Sequence, residues 1–180
     1  MARNILKPAG VKVFWGFGGQ NAGGRAYQVI RDGLDENESI GIDGLDGKIT
    51  ARNAEEKFQR EGPTNKAQRI WSMGHSLMDF NGKLGDCSDK GGKSLKICPQ
   101  LRYAVESKAF GKVFGWTVAK FHYSTASQLL YAGVDGLIYG QLTKNYDDSP
   151  DSRDAIKILK DLLEKNKNRV YLATLDDKPW

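Results

Sequence analysis

The sequence predicts an α/β protein in which strands and helices alternate within one domain. The clearest signal comes from residues 112–140, where an apolar, β-branched and aromatic run (113–118) is typical of a buried strand. A helical pattern follows it, and residues 134–139 then return to an extended apolar pattern. Two buried strands joined by one amphipathic helix must lie parallel, with a right-handed crossover. The same alternation elsewhere predicts about five βα units in one layered structure.

The helix inside this unit is predicted from its two end signals. Thr125, with Gln128 three residues later, has the spacing of a capping box. Apolar residues then recur at helical intervals as far as Gly133. Glycine adopts the left-handed conformation that ends helices at little cost, so we expect the helix to end there.

The rest of the chain supplies the other predicted elements. Strands are predicted at 11–17, 39–45 and 69–73, and helices at 26–34, 50–62, 95–108 and from Asp151 or Ser152 onward. Residues 80–93 form a long, polar, glycine-rich excursion, which we interpret as a functional or mobile loop. The glycines that follow the first strand match neither a dinucleotide fingerprint nor a phosphate loop, which favours a steric role for them.

Composition limits the classes of protein. The chain has 180 residues, fewer than the roughly 250 of a typical (β/α)₈ barrel. It has no apolar run of about 18 residues, and its first ten residues lack the apolar core of a signal peptide, so we expect a soluble chain without a visible export signal. The net charge of +5 is spread among 22 acidic residues, which favours a solvated surface and no nucleic-acid partner. Cys87 and Cys98 could form a disulfide or remain two free thiols.

Three segments, taken together, resemble a known family. They are Trp-Thr-Val at 116–118 in a strand, Gly-Val-Asp-Gly at 133–136 after a helix, and Ala-Thr-Leu-Asp-Asp-Lys-Pro-Trp at 173–180. Their order and spacing resemble the sphingomyelinase D/phospholipase D toxins of spiders and their bacterial and fungal relatives, within the glycerophosphodiester phosphodiesterase superfamily. The motifs cover the last third of the chain, and the first two thirds match in pattern and spacing. The resemblance implies that residues 1–180 are a single partial domain, the later portion of a (β/α)₈ TIM barrel, with a C-terminal tail at 173–180.

The resemblance also implies a chemistry. Family members carry out a Mg²⁺-dependent attack on a choline phospholipid such as sphingomyelin or lysophospholipid, which releases choline and leaves a cyclic phosphate or a phosphatidate. Two histidines act as acid and base there, and carboxylates that include a Glu-x-Asp pair hold the metal. Those residues lie on the family's first strands, which have no counterpart here, so we assign no metal ligand and expect the isolated chain to be inactive. The resemblance also implies that the protein is secreted and contacts a membrane surface peripherally. It further implies that the chain pairs with the missing N-terminal half or associates with itself.

Trp116 is the residue to which the resemblance gives a substrate-binding role. An indole face attracts a choline cation with about 0.5–2 kcal/mol. The alternative is a core tryptophan packed under a helix. The chain departs from the family at Ala119, where an acidic or amide residue is usual, and at Tyr139-Gly140, where asparagine or aspartate is usual.

His75 is the candidate for catalysis, because Met73-Gly74-His75 resembles the family's first histidine motif. No Glu-x-Asp strand follows it, so we interpret His75 as a rim or loop residue and leave the catalytic residues unknown. His122 lies in a polar loop and is expected to be solvated. Asp43 and Asp79 could offer oxygens to a cation, although single acids at strand ends usually cap or face solvent.

Two other functions remain open at this stage. A non-catalytic lipid- or protein-binding α/β domain would keep the scaffold, the basic surface and the aromatic mouth. A phosphate-binding enzyme would instead use the glycine-rich loop near Gly18. We also expect the tail to pack back on the domain through its apolar residues 170–173 and its terminal Pro179-Trp180.

Overall fold

Strands and helices alternate along the chain in the computed structural model, which describes residues 2–44, 49–75, 80–91, 93–119, 123–140, 148–174, 176–177 and 179–180. The strands are β1 (Val13–Gly18), β2 (Glu38–Asp43), β3 (Arg69–Gly74), β4 (Lys112–Val118) and β5 (Gly136–Tyr139). The helices are α1 (Ala2–Ile5), α2 (Arg25–Asp32), α3 (Ala51–Glu61), α4 (Phe80–Lys83), α5 (Ile97–Ser107), α6 (Tyr123–Tyr131) and α7 (Pro150–Lys165), with a 3₁₀ turn at Lys66–Gln68.

The described strands form one parallel sheet in the order β1-β2-β3-β4-β5. Each strand therefore pairs with the strands next to it in sequence. Gly18 lies opposite Asp43, Asp43 opposite Ser72, and Gly74 opposite Trp116, so the carboxyl ends of four strands meet at one edge. The α/β class and the parallel pairing of β4 with β5 are confirmed.

Helices pack on one face of this sheet. Ile40, Ile42 and Trp71 project from that face into a core shared with α2, α3 and α5. A smaller cluster joins Val118 to residues of α6 and α7. Burying this apolar surface is the main stabilising contribution to the fold.

The alternate side chains of the strands form the opposite face, which we call the inner face. It carries glycines at Gly16, Gly18 and Gly41, and two large apolar side chains, Phe14 and Ile138, that are 44% and 43% exposed. The ring of Phe14 occupies the space that a side chain at Gly41 would need. The inner face thus exposes apolar surface at β1 and β5, whereas Ser39 and Ile70 on the central strands are buried.

Helix ends follow local sequence signals at several points. Thr50 caps α3 through a capping box with Asn53, and Gly133 follows α6 with φ of +88°, both as predicted. The predicted cap at Thr125 is wrong, because α6 already begins at Tyr123. The last helix begins at Pro150, before both predicted starts, Asp151 and Ser152, because the side chain of Ser149 accepts a hydrogen bond from the amide of Ser152 and serves as the cap.

A disulfide fixes much of the excursion after β3. Cys87 and Cys98 are bonded, with Cα atoms 4.6 Å apart, and both are buried. The amide of Cys98 also donates to the carbonyl of Leu84 at 2.7 Å. The segment predicted as one loop thus contains α4 and is bonded to the first turn of α5.

The short helix α1 was not predicted and lies at the amino end of the sheet. Arg3 pairs with buried Glu38, at 2.9 Å between Nη2 and Oε2. Glu38 also accepts from the indole N–H of Trp15 at 3.2 Å and from the amide of Asp35 at 3.0 Å. The buried carboxylate is therefore compensated by a charge and by hydrogen bonds.

The tail differs in part from the expectation. Tyr171 and Leu172 are exposed, so the apolar run at 170–173 does not pack into the core, whereas Trp180 is half-buried. Asp177 explains the local shape, because it accepts hydrogen bonds from the Thr174 amide at 2.7 Å and from the Tyr171 hydroxyl at 2.6 Å. The backbone donor at Thr174 is the main cause that lowers the pKa of Asp177. Of the helices that the structure describes, none is long and apolar enough to cross a lipid bilayer.

Candidate functional site

Polar side chains from three neighbouring strands meet at the carboxyl edge of the inner face. Asp43 ends β2, Ser72 lies opposite it in β3, and Trp116 lies in β4. The hydroxyl of Ser72 donates to Asp43 Oδ2 at 2.7 Å, and the indole N–H of Trp116 donates to the same oxygen at 2.9 Å. One carboxylate therefore joins three strands at the edge where parallel α/β proteins place their sites.

A pocket of about 430 Å³ opens beside this cluster. Gly18 of β1 leaves part of this space open, because a Cβ atom there would meet no other atom within 4 Å, whereas the ring of Phe14 fills the space beside Gly41. The pocket is lined by Phe14, Gly16, Phe17, Gly18, Gly41, Asp43, Ser72 and Trp116. Its wall is thus mostly apolar, with a few convergent polar groups, as is usual for small-ligand sites.

Trp116 lies on the inner face and not under a helix. Its side chain lines the pocket, is 9% exposed, and belongs to neither hydrophobic cluster of the helical layer. The hydrogen bond to Asp43 fixes the direction of the indole plane. Its binding role stays a prediction, and its placement is compatible with that role.

The site can attract a cation that has no N–H donors. A quaternary ammonium group cannot donate conventional hydrogen bonds, so its recognition depends on an aromatic face and on nearby negative charge. Trp116 supplies the ring and Asp43 supplies the charge at the same wall of the pocket. An apolar wall strengthens this attraction because it excludes water.

His75 lies at the rim, beyond the end of β3. Its amide donates to the carbonyl of Trp116 at 3.1 Å, and its ring nitrogen Nε2 contacts the ammonium group of Lys83. The ring lines a second pocket that shares no lining residue with the Trp116 pocket. The described part of the chain thus places the candidate histidine apart from the Asp43 cluster.

Packing explains the glycine in the Met-Gly-His segment. A Cβ atom at Gly74 would lie 1.6 Å from the carbonyl oxygen of Trp116, so only glycine fits between β3 and β4. This requirement is independent of any catalytic role for His75. The glycine of this segment therefore has a structural reason of its own.

The remaining candidates divide by location. His122 and Asp79 lie outside the described residues. Ala119 is buried and offers no polar group, and Gly140 follows β5 without a side chain. The sequence analysis missed Ser72. Its position opposite Asp43 would have marked it as a site residue if the register between β2 and β3 had been known.

The described residues do not fit a Mg²⁺ site. Magnesium requires octahedral oxygen coordination, usually with carboxylates among the ligands. In the part of the chain that the structure describes, no group of three or more His, Cys, Asp or Glu residues is placed to hold a metal. Oδ2 of Asp43, moreover, already accepts two hydrogen bonds. A metal beside Asp43 would need further ligands that this group of described residues does not supply.

A parallel sheet with strands in sequence order and a polar cluster at its carboxyl edge defines a protein built from repeated βα units. The family described as Sphingomyelinase D/Phospholipase D matches residues 1–180. The chain belongs to that family, which confirms the resemblance seen at 116–118, 133–136 and 173–180.

Curated relatives extend this result. The chain is 37% identical to a sphingomyelinase D of Trichophyton rubrum over 181 residues, covering 100% of this chain and 53% of the relative. It is 35% identical to a sphingomyelinase D of Aspergillus flavus, covering 57% of it, and 27% identical to the dermonecrotic toxin LhSicTox-alphaIA2aiii of Loxosceles hirsuta, covering 62% of it. The chain thus spans about half the length of the first two curated relatives. No solved structure matches it at a significant level.

Proposed function

We propose that this chain forms the later half of a (β/α)₈ barrel of the sphingomyelinase D/phospholipase D type. The observation that supports the proposal is the Asp43–Trp116 pair at the carboxyl edge of a parallel sheet whose strands run in sequence order. The family relation supports it over the whole chain. In a closed barrel, further strands would cover the inner face, on which Phe14 and Ile138 are exposed.

The substrate of the completed barrel is a choline phospholipid, such as sphingomyelin or a lysophospholipid. Trp116 binds the choline headgroup through its indole face, worth about 0.5–2 kcal/mol. Asp43 holds the indole in place and adds negative charge beside the quaternary ammonium group. Ser72 supports Asp43 from the neighbouring strand.

Cleavage breaks the bond between phosphorus and the choline oxygen. Attack by a hydroxyl of the lipid yields a cyclic phosphate, and attack by water yields a phosphate monoester; in both cases a proton must reach the departing choline oxygen. General acid–base catalysis of such a step contributes about 10²–10⁴-fold. The described residues contain no histidine or carboxylate pair at the Trp116 pocket that could supply it. We therefore propose that those groups, and any Mg²⁺ ligands, come from the family's earlier strands.

The setting that we propose is an extracellular membrane surface. The Cys87–Cys98 disulfide is the type of bond that persists in oxidising compartments. Contact with the lipid surface would be peripheral. A polypeptide that carries the family's earlier strands, or a second copy of the chain, would cover the inner face, and nucleic acid is not a proposed partner.

The test is a choline-release assay on the chain of residues 1–180. Alone, it should release no choline from sphingomyelin or lysophospholipid vesicles, and adding the family's N-terminal half as a separate polypeptide should restore release. In the restored complex, Trp116→Leu should lower kcat/KM by about 2- to 30-fold, the loss of a cation–π contact, whereas Trp116→Tyr should lose less. Turnover by the isolated chain that disappears only with His75→Gln would contradict the proposal. Lipid binding that never becomes turnover would favour the non-catalytic binding domain.

A further inference from the structure

A second pocket, of about 270 Å³, lies at the end of β3 and gathers three basic side chains. His75, Lys83 and Lys96 line it together with Met73, Gly74, Leu95 and Ile97. We call it the basic pocket. Lys83 belongs to the excursion at 80–93 and Lys96 follows it, and neither lysine is part of the family motifs.

The covalent and hydrogen-bonded frame of the excursion fixes the two lysines at this pocket. The Cys87–Cys98 disulfide and the hydrogen bond from Cys98 to Leu84 hold the end of α4 against the start of α5. Lys96 donates from Nζ to the carbonyl of Gly82, and Lys83 contacts the ring of His75. The basic groups therefore converge because of the fold and not only because lysine is common in the loop.

The charge of these lysines is not balanced by a carboxylate within the described residues. Lys90 in the same segment pairs with Glu106, and Lys112 pairs with Asp135. Lys83 and Lys96 instead contact a ring nitrogen and a backbone carbonyl, respectively. Two ammonium groups at one pocket repel each other unless an anion lies between them.

The donor geometry at the pocket suits a phosphate group. A lysine ammonium has three N–H donors, so Lys83 keeps two after donating one to His75 Nε2. Lys96 likewise keeps two after its bond to Gly82. The start of the eleven-residue helix α5 at Ile97 adds the positive end of a helix dipole, and Lys96 at its N-cap makes no side-chain capping bond.

From these contacts we propose that the basic pocket binds a phosphate group, carried either by an anionic lipid headgroup or by a free phosphate compound. The side chain of Leu95, 60% exposed at the pocket wall, offers an apolar contact for the lipid case. Gly74, which lines the basic pocket, pairs with Trp116 across the sheet. The bound phosphate therefore lies beside the Trp116 pocket and not within it. This inference goes beyond the proposed function, because it concerns binding and needs no turnover.

The test compares two double variants that remove the same charge. Lys83→Gln/Lys96→Gln alters the basic pocket, and Lys157→Gln/Lys160→Gln alters two exposed lysines of α7. Inorganic phosphate is titrated into each protein by calorimetry, and the imidazole signals of its two histidines are followed by NMR, with His75→Gln giving the assignment. Phosphate should bind the wild type and the α7 variant equally, shift the His75 signal, and bind the pocket variant about tenfold more weakly.

Vesicles distinguish the two sources of phosphate. Cosedimentation with vesicles of phosphatidylcholine plus phosphatidate, compared with phosphatidylcholine alone, measures headgroup binding. Binding to phosphatidate vesicles without measurable binding of inorganic phosphate assigns the pocket to a lipid headgroup, and the reverse assigns it to a free phosphate compound. Lys83→Arg/Lys96→Arg keeps the charge and should retain binding, which controls for misfolding. Equal phosphate and phosphatidate binding by the pocket variant and the wild type, or no binding of either by the wild type, would overturn the proposal.

Discussion

At the scale of single residues, Asp43 accounts for the arrangement of the inner-face site. Its Oδ2 accepts from both Ser72 and Trp116, so removing the carboxylate leaves a nearly buried indole N–H without its acceptor. We expect Asp43→Ala to lower the free energy of unfolding by about 1–3 kcal/mol, and Asp43→Asn, which keeps an acceptor oxygen, to lower it less. Urea unfolding of Asp43→Ala, Trp116→Phe and the double variant should give a coupling energy of about 0.5–3 kcal/mol. Strict additivity would show that the hydrogen bond contributes nothing.

Tyr27 makes a pH-dependent contribution to the free energy of unfolding. Burial raises the pKa of its phenol to about 12, from an ordinary value of 10.0. Between these two pH values the unfolded chain loses the proton while the folded chain keeps it, so the free energy of unfolding falls as pH rises from 10 to 12. Below pH 10 this contribution is fully present, and by the shift it amounts to at most roughly 3 kcal/mol.

Tyr27→Phe isolates this effect. Urea unfolding at a series of alkaline pH values should show a smaller decline for the variant than for the wild type, because the variant has no phenol to ionise at the buried position. Tyr131→Phe removes an exposed phenol and is the matched control. Parallel declines in all three proteins would show that the buried phenol is not the cause.

At the scale of elements, the Cys87–Cys98 bond governs the segment between β3 and α5. The two cysteines are 11 residues apart, a separation for which a disulfide typically contributes about 2–4 kcal/mol. We expect Cys87→Ser/Cys98→Ser to lower the free energy of unfolding by that amount. Dithiothreitol should produce the same loss in the wild type and none in the double variant. An unchanged melting temperature after complete reduction would contradict this.

Elements whose signals are local were predictable from the sequence. The five strands are short β-branched or aromatic runs, and Thr50 and Gly133 mark helix ends through their own side chain or backbone. The helix α1 was missed because four residues are too few to show a helical period, and a distant partner, Glu38, holds it in place. Thr125 was misassigned because a capping-box spacing also occurs inside a helix.

The site was predictable only in part, for a different physical reason. A resemblance in sequence indicated Trp116, but the contact between Asp43 and Trp116 joins residues 73 positions apart. Such contacts depend on the register between parallel strands, which no short pattern specifies. The role of Ser72 depends on the same register.

At the scale of the whole molecule, we expect the apolar side chains exposed on the inner face to promote association of the chain. Phe14 and Ile138 expose apolar surface that a closed barrel would bury. We expect Phe14→Ser/Ile138→Ser to lower the fluorescence of a bound apolar dye and to reduce concentration-dependent association in sedimentation. Stability should change little, because both side chains are already well exposed. The control is Val29→Ser, an exposed residue on the helical side, and an equal effect from it would show that the inner face has no special role.

The order of the strands also has a consequence for synthesis. Each described strand after β1 pairs with the strand made just before it, so none of these strands must wait for a partner that is made later in order to dock. A ribosome that adds about 5–20 residues per second would release one βα unit after another, and each could dock on a finished edge. The growing edge always lies at the newest strand. If the polypeptide were divided between two such units, all pairs of adjacent strands except the one at the division would stay within a single piece. Proteins of this architecture are therefore well suited to assembly from separately translated pieces.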